Sequence, residues 1–232
     1  MSPTQQVVNS VRGAFVVSVQ STLAPRAGDL RVLGAVMVPG VLVLLGIAGM
    51  SLASGEHVGN LTRDPMAVVR AHPLTGVLSN LGAILWSAGA ALPLFTWLAL
   101  RALGAAGRFQ GVLLGGGLLT GLLLADDLFM LHEGLYPRYL GLGADGEGPI
   151  LALYGLALAA YLVRGRERLL EARPFLLVVA LACFAASVLV DQLPKDAMRG
   201  RALIEDGAKF LGIGTWLAFQ GSVCLAALRE GS

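Results

Sequence analysis

The sequence is poor in charge, in aromatic side chains and in cysteine. Charged residues make up 14% of its 232 positions, against about 25% in a soluble domain, which excludes an ordinary water-soluble fold. The two cysteines, Cys183 and Cys224, each sit in an apolar run without a CxxC partner, so no disulfide framework or thiolate metal site follows. They read as small buried hydrophobes. No G-x-S-x-G, H-E-x-x-H or P-loop motif is present, and nothing points to nucleic acid. The chain also lacks an internal repeat, a low-complexity tail and an interdomain linker. The N-terminus, "MSPTQQVVNSVRGAFVVSVQSTLAPR", has no basic start followed by a sustained apolar run and a small-residue cleavage site, so it does not read as a removable signal peptide. Its apolar residues are broken by Asn9, Arg12, Ser18 and Gln20, which suits a short helix lying along a membrane surface.

Apolar length is abundant. Hydrophobic residues reach 56% and the mean hydropathy is +0.73. About 20 apolar residues cross a bilayer as a helix. The pattern predicts an all-α, polytopic membrane helical bundle with spans near 32–53, 74–100, 109–133, 149–163, 174–193 and 203–228. The fourth has the shortest uncharged stretch and follows the Gly-rich "GLGADGEGP". The expected organisation is an N-terminal interfacial segment 1–31, a six-span domain 32–228 and a tail 229–232. Arginines such as Arg12, Arg26, Arg101, Arg108 and the cluster "RGRERLLEAR" favour one side. By the positive-inside bias both termini are expected in the cytoplasm, in a bacterial inner membrane.

Acids are unevenly distributed. Only Asp29, Glu167, Glu171 and Glu230 of the fifteen fall on that arginine-rich side. On the other, the third span ends "LLLADDLFMLHEG", the fifth ends "SVLVDQLPKD", and the sixth begins "RGRALIEDGAKFLGIGTW". Asp126 stands ~7–8 Å past the middle of its span at 1.5 Å per residue, where an Asp costs about 2.5–3.5 kcal/mol to insert. Such residues are partnered, protonated or hydrated, and mark functional sites by default. At about 100° per residue, Asp126 and Glu133 share a helix face, Asp127 points a quarter-turn away, and His132 projects toward the outer interface. One helix alone cannot complete a metal site.

Asp191 follows Ser187 by four residues, and Glu205 precedes Lys209 by four in the favourable order for an ion pair; Asp206 is three from Lys209. Each has a plainer explanation. Carboxylates sit comfortably at headgroup level or in a helix's first turn, and Lys can snorkel. Together, Asp126, Asp127, Glu133, Asp191, Glu205 and Asp206 describe a candidate oxygen-rich metal site between the third, fifth and sixth spans in the outer leaflet. His132 is a possible nitrogen ligand. Such a set suits Mg, Mn or Fe better than Zn. Glu133 and His132 are the acid/base candidates and Lys209 the anion holder of a metal-dependent membrane hydrolase acting on a lipid or other amphiphile. A proton- or cation-coupled transporter and a charge-paired structural or partner-binding subunit are the alternatives. Transport would need polar groups deeper in the membrane, where only Thr120, Ser187 and Thr215 are evident. His57 and His72 flank an outer loop and read as solvated.

"DDLFMLHE" followed by "EDGAKFLGI" resembles a group of small uncharacterised bacterial multi-spanning proteins, a resemblance that implies no activity. "EDGAKFLGIG" also resembles the retinal-binding last helix of microbial rhodopsins, with Glu205 and Lys209 at matching spacing, but that family has seven spans rather than six.

Overall fold

A computed structural model describes residues 27–63, 65–72, 74–105, 107–136, 139, 147–194 and 200–231. The expected interfacial helix falls largely on residues 1–26, outside the described residues. Among those described, the structure is all helical. Six helices are long and apolar enough to cross a bilayer: α1 (Ala27–Ser54), α2 (Val77–Ala102), α3 (Gln110–Phe129), α4 (Glu147–Glu171), α5 (Pro174–Asp191) and α6 (Arg201–Glu230). The chain is a polytopic membrane helical bundle.

The chain divides into two compact units, 1–75 and 76–232. In the first, α1 is apolar on all sides and none of its spanning window is buried. Leu42, Leu44 and Leu45 stay exposed, as expected of side chains whose solvent is lipid rather than protein. Two short helical turns, Val58–Thr62 and Pro65–Val68, follow. His57 caps the first of these, its Nδ1 accepting from the Gly59 N–H at 3.1 Å. His72 Nδ1 accepts from the Leu74 N–H at 3.2 Å. Both histidines serve local turns.

In the second unit α6 packs against α5 and α2, α2 against α3, and α3 against α4. Aromatic rings fill the middle. Trp86 of α2 stacks on Phe184 of α5 with centroids 5.6 Å apart, and Trp216 of α6 lies 6.2 Å from Tyr161 of α4. Glycines such as Gly117 and Gly212 allow close approach between helices. A Cβ on Gly117 would meet Leu94 Cγ at 2.5 Å, and one on Gly212 would meet Phe184 at 2.8 Å. Helices in lipid gain little from hiding apolar surface, so close van der Waals contact at small residues holds them together.

Two expected boundaries change. The fourth span, expected at 149–163, runs to Glu171, because "RGRERLLE" continues the helix instead of forming a loop. The third ends at Phe129, short of residue 133. Met130 adopts a left-handed conformation (φ 48°, ψ 48°) and Leu131–Leu135 forms one π-helical turn.

Candidate functional site

The break at Met130 reorganises the "DDLFMLHE" motif. Non-glycine residues rarely adopt positive φ, and π-helical turns recur at functional sites. Had the α-helix continued, Asp126 and Glu133 would share a face. With the left-handed residue between them they do not share a register, and His132 swings back over Asp126. The His132 backbone N–H donates to Asp126 Oδ1 at 3.0 Å. Its ring Nδ1 lies 2.5 Å from Oδ2, so with Asp126 ionised Nδ1 carries the proton. From α4, the Tyr154 hydroxyl donates to Oδ1 at 3.0 Å. The buried carboxylate of Asp126 thus accepts three hydrogen bonds, a response to the cost of burying an unpaired charge.

Asp127 turns to a different helix and is ion-paired with Lys209 of α6. Its side chain is only 10% exposed against 43% for Lys209, so the lysine alone reaches the edge of the bundle. The expected Glu205–Lys209 pair does not form among the described residues. Glu205 instead meets Arg201, one turn earlier on α6, at 3.3 Å. Arg201 also reaches Asp191 of α5, 3.0 Å from its carboxylate, and donates to the Val190 carbonyl at 3.0 Å. Asp191 bonds to Arg201 rather than to Ser187, which is buried. Asp206 is exposed. The side chain of Glu133 lies outside the described residues.

Asp126, Asp127 and the Asp191–Glu205 pair therefore have different partners. Among the described residues, no three His, Cys, Asp or Glu side chains gather closely enough to hold a metal ion. Asp127, Asp191 and Glu205 each face a cationic side chain that a metal ion would have to displace.

Below this level a few polar side chains are buried within the apolar interior. Trp216 Nε1 donates to Thr120 Oγ1 at 2.9 Å, and Thr120 donates to the Gly116 carbonyl at 2.6 Å. One turn beyond Trp216, the fully buried Gln220 donates from Nε2 to the Tyr161 hydroxyl at 3.5 Å. Its Oε1 has no partner among the described residues. The family model for a domain of unknown function, DUF8692, matches residues 32–223, a stretch that takes in all of these side chains. The chain belongs to that family. Membership agrees with the resemblance to uncharacterised multi-spanning proteins and brings no activity with it. No curated protein and no solved structure matches the chain.

At the opposite end of the DUF8692 bundle, Arg108 joins the α2–α3 connection to the end of α6. Its Nε lies 2.8 Å from Glu230 and its Nη1 3.7 Å from Glu171. The hydrogen bond and charge of Glu230 hold the Arg108 guanidinium above its ordinary pKa. Arg168 pairs with Glu171 and lies 3.6 Å from Glu167. Sequence reasoning passed over Tyr154, Tyr161, Arg201, Trp216 and Gln220. A signal existed for most of them. Tyr154 and Tyr161 are seven apart on one face of an aliphatic helix, and Gln220 is a lone amide one turn after Trp216.

Proposed function

We propose that this protein is a proton- or cation-coupled membrane transporter. The observation carrying the reading is the pair of adjacent carboxylates that face different partners: Asp126 with His132 and Tyr154, and Asp127 with Lys209. Intramembrane acids paired with bases mark ion pathways and proton relays. Protonating Asp127 removes the charge that holds Lys209 to α3. Protonating Asp126 removes the negative charge that strengthens its bonds to Tyr154 of α4 and to the π-turn. Either event loosens an interhelical tie, which gives proton binding a mechanical consequence.

Thr120, Trp216, Gln220 and Tyr161 answer the main objection to transport, which was the scarcity of polar groups deeper in the membrane. A metal-dependent hydrolase requires the same acids to converge, whereas Asp127 pairs with Lys209 and Asp191 and Glu205 share Arg201. On this reading the protein sits in a bacterial inner membrane; the arginine bias supports cytoplasmic termini, with the Asp126–Lys209 cluster toward the outer leaflet.

Proton binding moves charge even when no cargo is present. Protein reconstituted on a solid-supported membrane and given a pH jump should show a transient charge displacement that Asp126→Asn and Asp127→Asn each reduce. The absence of any displacement in folded wild-type protein would overturn the reading. A near-stoichiometric divalent metal, lost on Asp126→Ala, would reinstate the enzyme.

A further inference from the structure

A groove of about 740 Å³ opens between α3 and α4. Its walls are aliphatic, with Leu118, Leu119 and Leu122 from α3 and Ala157 and Ala160 from α4. Its rim is basic: Arg108, Arg164 and Arg168 stand there against the single acid Glu167. From Gly111 to Leu122 the apolar wall extends roughly 16 Å at 1.5 Å per residue, enough for much of an acyl chain. One turn beyond Leu122 the Asp126–Tyr154 hydrogen bond ties the same two helices together.

The three arginines are not equivalent. Arg108 already shares Glu230 and Glu171, and Arg168 shares Glu171 and Glu167. Arg164 is exposed and has no ion-pair partner among the described residues. Glycine supplies the room, since a Cβ at Gly111 would meet nothing within 4 Å. We propose that this groove binds an anionic phospholipid, with one acyl chain along the α3–α4 wall and the phosphate at Arg164. An apolar slot ending in uncompensated arginine suits a lipid that already stands in the leaflet with its phosphate at that level. A zwitterionic headgroup brings its own cation to the rim and gains less. The inference uses residues outside the Asp126–Lys209 cluster and does not depend on the transport reading.

Native mass spectrometry of the detergent-purified protein, titrated with phosphatidylglycerol or phosphatidylcholine, tests it. Wild type should prefer phosphatidylglycerol by about tenfold, as expected for a charge-assisted contact. Arg164→Gln should abolish most of that preference while leaving phosphatidylcholine adducts unchanged. Gly111→Leu, which fills the groove, should reduce adducts of both lipids. Millimolar inorganic phosphate should not compete, because it lacks the chain. Equal binding of the two lipids by wild type, an unchanged preference in Arg164→Gln, or displacement by phosphate alone would each overturn the proposal. So would a stable dimer whose lipid adducts ignore both substitutions, since a second copy would then occupy the groove.

Discussion

His132 closes on Asp126 twice, through its backbone N–H at 3.0 Å and its ring Nδ1 at 2.5 Å. The contact spans six residues of chain and exists because the α-helix stops at Phe129 and Met130 turns left-handed. A straight helix would aim the two side chains apart. Tyr154 adds a third donor from α4, so one buried carboxylate fixes the end of α3, the π-turn and the neighbouring helix.

Tyr154→Phe should destabilise the bundle by about 1.5–3 kcal/mol, the range for a hydrogen bond to a charged group. Unfolding in mixed micelles measures it. In an Asp126→Asn background the same substitution should cost clearly less, because the charge that strengthened the bond is gone. Equal costs in the two backgrounds would show that the tyrosine does not depend on Asp126.

Lys209→Met and Asp127→Asn should each cost about 1–3 kcal/mol, below the 3–5 kcal/mol of a fully buried pair broken on one side, since Lys209 is partly exposed. The double substitution should cost less than the sum, which a double-mutant cycle reads directly. Asp206→Asn should stay within about 0.5 kcal/mol of wild type. A silent Asp127→Asn beside a costly Asp206→Asn would overturn this assignment of partners.

Glycine substitutions on α3 should separate sharply. A Cβ at Gly116 would lie 2.8 Å from the Tyr161 hydroxyl and 2.9 Å from Gln220 Oε1, so Gly116→Ala should cost about 1–3 kcal/mol through overpacking. At Gly121 a Cβ meets nothing within 4 Å, and Gly121→Ala should gain up to about 1 kcal/mol from helix propensity. Thermal melting of the two variants, measured side by side, checks the order.

Exhaustive chelation should leave the melting midpoint of the protein unchanged, and elemental analysis should find no near-stoichiometric divalent metal. A midpoint that falls with chelator and recovers with one added metal would show that these acids do converge on an ion.

Much of the architecture follows from composition and run length. A membrane imposes a single rule, that every backbone polar group be satisfied within its own helix, so apolar length alone located six spans. It also singled out Asp126, Asp127 and Lys209, because charge inside a span is costly wherever the helix packs. Partner choice was not accessible in that way. Spacing along α6 favoured Glu205 for Lys209, yet the lysine went to Asp127 and Arg201 took Glu205. Pairing at i,i+4 is worth only about 0.2–0.5 kcal/mol, too little to compete with the largely buried Asp127 carboxylate on another helix.

The turn at Met130 carries the same lesson. Nothing in "DDLFMLHE" breaks a helix by propensity, and its residues fit a continuous α-helix that would place Asp126 and Glu133 on one face. The sequence by itself determined that this is an all-α membrane bundle with misplaced charge at one level of three helices. Which charges meet was decided only by tertiary structure. Helix packing fixes the distance between side chains on different helices, and in a medium of low dielectric constant that distance outweighs local preference.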